Sequence, residues 1–344
     1  MSIKEQKMAD FILFKNKMSV MRFRAEEPTK ISADELREGL ITHKFKEEAT
    51  LPVNYGFVDF DNLYGLDPQF HDRLHVFGDW FVAAVRFDKR NVPASTIKRE
   101  LAKRSNEFVQ DSGKKYISRE MKKALKEEIT EQLLKRVPPQ TSFVVFAVDM
   151  SNGNGYYYAT SKKSFEQFEE LFERAYGVSF KPIEPETGSD FLTYLWWESE
   201  SNSFAEMPLN GKLTKTFVGD RVSVSDDDQK ITVSGDIEEA KLSVSKGADV
   251  TKIELLVQIG EDERKFVVDG DGKLSGLTFE ASMLPERESE EPTPFIAATE
   301  DVFGLLDLWK DKYVVAQENG SGLTPAIRQT WGRGNYCSKS FEDI

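Results

Sequence analysis

Two short stretches of the sequence carry residue types that could hold a divalent metal ion and cleave a phosphodiester. Restriction-type nucleases use an acidic residue, followed later by Glu-x-Lys, to hold the metal and position a water. Glu239-Ala240-Lys241, which follows the acidic run Asp226–Asp228, fits this pattern, and so does Glu263-Arg264-Lys265. With 59 acidic and 46 basic residues in the chain, such matches arise by chance. The sequence therefore predicts no catalytic residues, with a divalent-metal-dependent nuclease as the alternative.

A histidine pair is the second candidate for chemistry. His71 and His75 are four residues apart, a spacing that on a helix can place two imidazoles on one metal ion. The only other histidine is His43, and no His-Glu-x-x-His pattern occurs. Nucleotide-binding Gly-rich loops and Ser/His/Asp signatures are absent as well. We predict no metal site and no cofactor, and interpret His71 and His75 as surface residues of a polar loop.

The basic residues between Ser95 and Val137 have a clearer chemical consequence. This stretch contains twelve Lys or Arg and seven Asp or Glu, a net charge of +5 in a chain of −13. A basic island in an acidic chain creates a positive surface that suits an anionic partner. The alternative is a solvated helical face with i,i+4 ion pairs, such as Lys123 with Glu127 and Glu131 with Lys135.

Two amphipathic helices are predicted to position these charges. Pro93 suits a first helical turn, and Pro138-Pro139 ends the second helix because proline lacks the N–H that a helix interior needs. Each helix has apolar residues at helical spacing. They are Ile97, Leu101 and Phe108 in the first helix, and Met121, Leu125, Ile129 and Leu133 in the second.

The flanking sequence is predicted to alternate strands and helices. Ser32 with Glu35 forms a capping-box pattern before a helix over 33–43, and Ser164 with Gln167 caps a helix that Gly177 ends. Residues 51–68 are interpreted as a loop. Strands are predicted at 11–23, at 74–87 with a turn at Gly78-Asp79, and at 143–149 paired with 155–160.

The C-terminal part is acidic, with twenty acids and eight bases from Asp226 to Asp301. Trp196 and Trp197 lie in an aromatic stretch and are predicted to be core residues. Thr299 is predicted to cap a final helix. Strands are predicted at 230–234, 251–259, 265–268 and 274–279, with a short helix over 236–245. The order of elements indicates an α+β fold with mixed, mostly antiparallel sheets.

Length and composition restrict the class of protein. A chain of 344 residues is expected to form two or three compact units. No apolar run is long enough to cross a bilayer, and the N-terminus lacks the apolar region of a signal peptide. Cys337 is the single cysteine, which fits a reducing cytoplasm. We predict four parts: 1–92 (N-terminal α+β), 93–180 (basic helices, hairpin and helix), 181–317 (acidic α+β), and a flexible tail over 318–344.

The sequence resembles the RdgC family of bacterial recombination-associated proteins. The resemblance is collinear from about Phe11 to about Tyr313, and three pieces of sequence carry it. These pieces are Leu13-Phe14-Lys15-Asn16, the helix end Leu133-Leu134-Lys135-Arg136, and the hairpin and helix from Asp149 to Phe172.

The resemblance implies a horseshoe-like chain of subdomains that forms a ring-shaped homodimer. Double-stranded DNA would be bound without sequence preference in a positively charged hole, with single-stranded DNA as the alternative ligand. The protein would be nucleoid-associated and would restrain strand exchange by a RecA-type recombinase. The family has at times been described as exonuclease-like. Two features depart from the family: Ile231–Gly235 lacks the positive charge of the family's basic finger, and Pro138 replaces an aromatic residue thought to help close the ring.

We place the DNA contacts on the two basic helices, because the rest of the chain has a net charge of −18 and would repel phosphates. A protein-interaction module without DNA binding is a further alternative. The predicted DNA-binding residues are Lys98, Arg99, Lys103, Arg104, Lys114, Lys115, Arg119, Lys122, Lys123 and Lys126.

Overall fold

The structure is a computed structural model. It describes residues 13–27, 30–48, 51–59, 63–64, 76–113, 116–184, 188–200, 207–225, 230–234, 238–284 and 293–319. Within these ranges the chain forms one sheet of 13 strands and seven α-helices. The predicted α+β fold with a mostly antiparallel sheet is confirmed.

The strand β1, Lys17–Ala25, joins the two halves of the sheet. Its first residues pair with the last strand, with Lys17 opposite Thr278, and its later residues pair with the hairpin strand at Tyr157. The N-terminal half contains β2 Val53–Val58, β3 Val76–Phe77, β4 Trp80–Lys89, β5 Gln140–Asp149, β6 Gly155–Tyr157 and β7 Phe180–Pro182. The C-terminal half contains β8 Met207–Leu209, β9 Lys212–Ser225, β10 Lys230–Ser234, β11 Asp249–Ile259, β12 Asp262–Asp269 and β13 Leu274–Thr278.

The main path through the sheet is β10-β9-β11-β12-β13-β1-β6-β5-β4-β2. Every strand pair that the structure describes is antiparallel. An isolated parallel bridge joins Lys44, which is in no strand, to Phe57 of β2. The predicted hairpin of β5 and β6 and the turn between β3 and β4 are both confirmed.

Seven helices accompany the sheet. They are α1 Ala33–Thr42, α2 Ala94–Ser112, α3 Arg119–Leu134, α4 Lys162–Tyr176, α5 Gly188–Glu200, α6 Glu238–Ser245 and α7 Thr293–Glu318. The Ser32–Glu35 capping box is confirmed, and the Ser32 hydroxyl and N–H lower the pKa of the Glu35 carboxyl by donating hydrogen bonds to it. Among the helices described, none is both long and apolar enough to cross a membrane.

The central strands β4 and β5 are buried on both faces. Phe81 and Phe146 belong to a cluster that also contains Phe168 of α4, whereas the alternate residues Val82 and Ala147 belong to a second, larger cluster. The larger cluster includes Trp196 of α5 and Trp309 of α7, each 1% exposed or less. The prediction that Trp196 is a core residue is therefore confirmed.

The predicted loop over 51–68 is wrong where β2 forms. Gly56 lies in this strand. A glycine is needed at this position because a Cβ there would approach the backbone of Phe45 to within 2.6 Å. The glycine therefore permits a close approach of backbone within a sheet, and a glycine in this role is easily mistaken for a loop signal.

Two predicted helix caps are also wrong. Helix α7 starts at Thr293, and Thr299 lies inside it, where its hydroxyl donates to the Phe295 carbonyl at 3.0 Å. Helix α4 is capped by Ser161, which accepts a hydrogen bond from the Ser164 N–H, so Ser164 is within the helix. The hydroxyl of Ser or Thr can either cap the start of a helix or, inside the helix, donate to a carbonyl in the preceding turn, and the sequence alone does not distinguish these roles.

A buried ion pair on β4 is linked to β5 by the hydrogen bond of a threonine hydroxyl. The Arg86 guanidinium donates to both carboxylate oxygens of Asp88 at 2.8 Å, and the Thr141 hydroxyl of β5 donates to the same carboxylate at 2.8 Å. The Phe45 ring lies 4.1 Å from the guanidinium carbon of Arg86. Asp88 is fully buried, so its charge depends on these donors.

We predict that Asp88→Ala lowers the free energy of unfolding by about 3–5 kcal/mol, because Arg86 would lose its bidentate partner in a buried site. Chemical denaturation measures this change. The matched control is Glu127→Ala, which removes the acid of an exposed ion pair with Lys123 and is expected to leave the stability nearly unchanged. Equal effects of the two variants would show that the buried pair is not a special stabilising contact.

Candidate nucleic-acid interface

Helices α2 and α3 form the connection between two neighbouring strands. The β4–β5 ladder ends with Lys89 opposite Gln140, and the chain between these residues contains both helices. We call residues 91–139 the arm. Both ends of the arm are consequently fixed at the same end of the paired strands β4 and β5.

Arg90 fastens the start of the arm to the segment that precedes β2. Its guanidinium donates to the Glu47 carboxylate at 2.8 Å and to the Glu48 carbonyl at 3.2 Å. The backbone N–H of Arg90 donates to the Pro52 carbonyl at 2.8 Å. Arg90 is 5% exposed, so this attachment is shielded from water.

The arm itself has little core. No residue of α2 is buried, and α3 has only Ile129 and Leu134 buried. The predicted apolar positions of α2 are half-buried, while Met121 of α3 is 44% exposed. The predicted helices are confirmed, but part of the predicted apolar stripe faces solvent.

A polar contact links the two helices. The Arg104 guanidinium donates to the Glu128 carboxylate at 3.0 Å and also to the Gln132 side-chain oxygen. Gln132 in turn donates to Glu128 at 2.9 Å. Arg104, one of the predicted DNA-binding residues, is thus engaged in holding α2 against α3.

The remaining predicted cations divide into paired and unpaired groups. Arg99 lies 3.8 Å from Glu100, and Lys123 lies 4.0 Å from Glu127. The predicted i,i+4 pair of Glu131 and Lys135 is confirmed at 2.9 Å. Exposed cations that form no ion pair with another described residue are Lys98, Lys103, Arg119, Lys122 and Lys126. Lys114 and Lys115 lie outside the described residues.

Three of the unpaired cations lie on one side of α3. Arg119, Lys122 and Lys126 have the i, i+3, i+7 spacing that places residues on a single stripe of an α-helix. We call these three residues the cationic stripe. An array of cations along a helix can contact successive phosphates of one nucleic-acid strand.

The residues of the nuclease pattern do not come together in the described part of the chain. Glu239 is exposed in the first turn of α6, and Lys241 pairs with Glu238 at 3.1 Å. On β12, Lys265 pairs with Glu254 of β11 at 3.0 Å, and Arg264 is buried on the opposite face. Within the described ranges, no three His, Cys, Asp or Glu side chains are placed to hold a metal ion. His71, His75 and residues 226–228 lie outside those ranges.

We predict that amide hydrogens of α2 exchange much faster than those of β4, because α2 has no buried residue whereas β4 is covered on both faces. Hydrogen–deuterium exchange with mass spectrometry measures both segments in one experiment. Peptides from α4, which has four buried residues, serve as the helical control. Equal protection of α2 and α4 would show that the arm is covered by something other than its own second helix.

Comparison with known proteins gives one assignment. A family model described as “Putative exonuclease, RdgC” matches residues 12–294, a range that includes the whole arm and every strand of the sheet. No curated protein sequence matches the chain significantly. Since the match covers far more than half of the sequence, the chain belongs to the RdgC family.

Proposed function

We propose that this protein binds DNA without sequence preference through the arm and modulates homologous recombination. Its membership of the RdgC family fits a recombination-associated role. In the proposed mechanism a homodimer encircles the DNA at the nucleoid and restrains strand exchange by a RecA-type recombinase. The protein acts in this scheme by occupying DNA, with no reaction of its own.

The cationic stripe is the observation that carries this proposal. Its three side chains are exposed, and none forms an ion pair with another described residue. In a chain of net charge −13, unpaired cations gathered on one helix mark where phosphates are attracted. The alternative is a solvated helical face whose charges are neutralised by i,i+4 ion pairs. It accounts for the positions of Lys123 and Lys135, which form such pairs, but it does not explain the unpaired cations of the stripe.

The chemistry of the stripe favours binding without base recognition. Two of its three residues are lysines, and lysine is a compact charge on a flexible stem that binds phosphate without the planar geometry that bidentate contact to a base requires. Affinity then comes largely from release of counterions and depends steeply on salt. A closed ring would add topological retention, because a ring must open before it leaves an intact circular duplex.

We predict that Lys122→Ala with Lys126→Ala reduces the slope of log K against log salt by about 1.8 on duplex DNA, since each phosphate contact contributes about 0.9. Fluorescence anisotropy on two duplexes of unrelated sequence measures this slope, and both should change alike. The charge reversal Lys122→Glu with Lys123→Glu should abolish the plasmid gel shift. Sedimentation and melting temperature should stay as in the parent, because these side chains are exposed.

The matched control is Lys162→Ala with Lys163→Ala, which removes two exposed lysines from α4 outside the arm. This control should keep the slope of the parent. An unchanged slope for the stripe variant would contradict the assignment of DNA binding to the arm. If the parent protein shifts neither plasmid nor single-stranded DNA at low salt, a protein-interaction module becomes the better description.

A DNA exonuclease is the second candidate, and the description of the matching family favours it. We propose that the protein has no intrinsic nuclease activity and predict no release of nucleotides from linear DNA in Mg²⁺ or Mn²⁺. End-labelled linear DNA measures release directly, and a contaminating nuclease is recognised by parallel purification of the variants. Metal-dependent release that disappears in His71→Ala, His75→Ala or Glu239→Ala would establish the exonuclease instead.

A further inference from the structure

We propose that Tyr116, at the tip of the arm, stacks on an unpaired DNA base, so that the arm gains a contact on single-stranded or locally unpaired DNA that intact duplex does not offer. This inference rests on the proposed function, because it assigns the class of DNA that the same arm binds. It adds an aromatic contact to the phosphate contacts of the cationic stripe.

Tyr116 is unusually exposed for an aromatic residue. It is 79% exposed, whereas the next most exposed of the large hydrophobic side chains in the described residues, Val315, is 53% exposed. No hydrogen bond and no ring contact joins it to another described residue, in contrast to Tyr64, which is also exposed but packs edge-on against Phe143 at 5.1 Å. The ring of Tyr116 therefore has both of its faces available.

The position of Tyr116 is set by the caps of the two helices. Helix α2 is capped at its C-terminus by Gly113, which has a left-handed backbone with φ of 63°. Helix α3 begins after Ser118, whose hydroxyl accepts a hydrogen bond from the Met121 N–H at 3.2 Å. Tyr116 lies between these two caps. It consequently lies at the turn between α2 and α3, which is the part of the arm that is farthest along the chain from strands β4 and β5.

Cations and a further apolar group lie close to Tyr116 in the chain. Arg119 and Lys122, the first two members of the cationic stripe, occupy the first turn of α3. Met121, 44% exposed, is in the same turn, and helical side chains lean toward the N-terminus of their helix, which is the direction of Tyr116. The tip thus combines an aromatic face, an apolar side chain and two unpaired charges.

The charge at the tip favours nucleic acid over a protein as the occupant. An apolar protein surface that covered Tyr116 would remove water from Arg119 and Lys122 without supplying counter-charges, which is costly. A nucleic acid offers a base for the ring and phosphates for the cations together, and stacking of bases on aromatic side chains tolerates any sequence. Bases within a duplex are already stacked on both faces, so the ring reaches only a base that is unpaired.

The experiment compares Tyr116→Ala, Tyr116→Leu and Tyr116→Phe in the full-length chain. Anisotropy titrations use a mixed-sequence single strand and the duplex of the same length, each over a range of salt. We expect Tyr116→Ala to weaken single-strand binding by roughly 5- to 150-fold, the range for loss of one base–aromatic contact, with no change in salt slope. Tyr116→Phe should bind as the parent does, Tyr116→Leu should resemble the alanine variant, and duplex binding should change by less than about threefold.

Three results in which a Tyr116 variant behaves differently from this expectation would overturn the inference, in addition to those that bear on the proposed function below. Equal losses on single strand and duplex would show that the ring does not select unpaired bases, and full binding by Tyr116→Leu would show a merely apolar contact. A change in sedimentation of Tyr116→Ala would show that the tip contacts a second copy of the chain. Tyr64→Ala is the control for removal of an exposed tyrosine elsewhere, and it should bind like the parent.

The inference and the proposed function fail in different ways. If the parent binds DNA and the stripe variant loses salt slope while Tyr116→Ala is neutral, only the stacking inference is overturned. If the parent binds neither single-stranded nor duplex DNA, both are overturned.

Discussion

The ladder between β4 and β5 is the constraint on which the candidate interface depends. Ten residues of β4 pair with β5, from Trp80 opposite Asp149 to Lys89 opposite Gln140. Near the end of this ladder, two guanidinium groups are buried in the protein, that of Arg86 on Asp88 and that of Arg90 on Glu47. A buried charge is tolerated only with its partners in place, so these contacts hold the strand ends and the entry of the arm in one geometry. The arm, which has few buried residues, takes its position from them.

Charge distribution complements this geometry. The stretch from Ser95 to Val137 has a net charge of +5, and the other residues together have −18. Phosphates are therefore attracted to the arm and repelled by the remaining chain, so a single surface can define how a polyanion approaches. Within the arm, part of the positive charge is used internally, because Arg104 joins α2 to α3 through Glu128 and Gln132. The structure separates cations that hold the arm together from cations that face solvent.

Much of the fold could be predicted from local patterns. The periodicity of α2 and α3, the capping box of α1 and the turn between β5 and β6 are short-range signals, and each is confirmed. The loop predicted over 51–68 was wrong at β2 because Gly56 serves a contact with Phe45, which is eleven residues away and invisible to turn statistics. Strand β9, with 14 residues, was missed entirely.

The candidate site was predicted less completely than the fold. The spacing of apolar residues in α2 indicates a helix with one apolar side, but it does not tell whether that side is covered by the body of the protein or shared with one neighbouring helix. The pairs Lys123–Glu127 and Glu131–Lys135 follow from i,i+4 spacing. The Arg104–Glu128 contact joins residues 24 apart, so only the structure distinguishes Arg104 from the unpaired cations. No pattern in the sequence predicts that the Tyr116 side chain is exposed.

The placement of the arm between hydrogen-bonded neighbours has a consequence for how such a protein can change over evolution. In terms of chain topology, 91–139 is the loop of a β-hairpin, although it contains two helices. Lengthening a loop whose ends are already held together costs little, because closure entropy rises only with the logarithm of its length. Strand order and register would survive an arm that was longer, shorter or differently charged. The sheet and the proposed nucleic-acid surface can therefore diverge at separate rates.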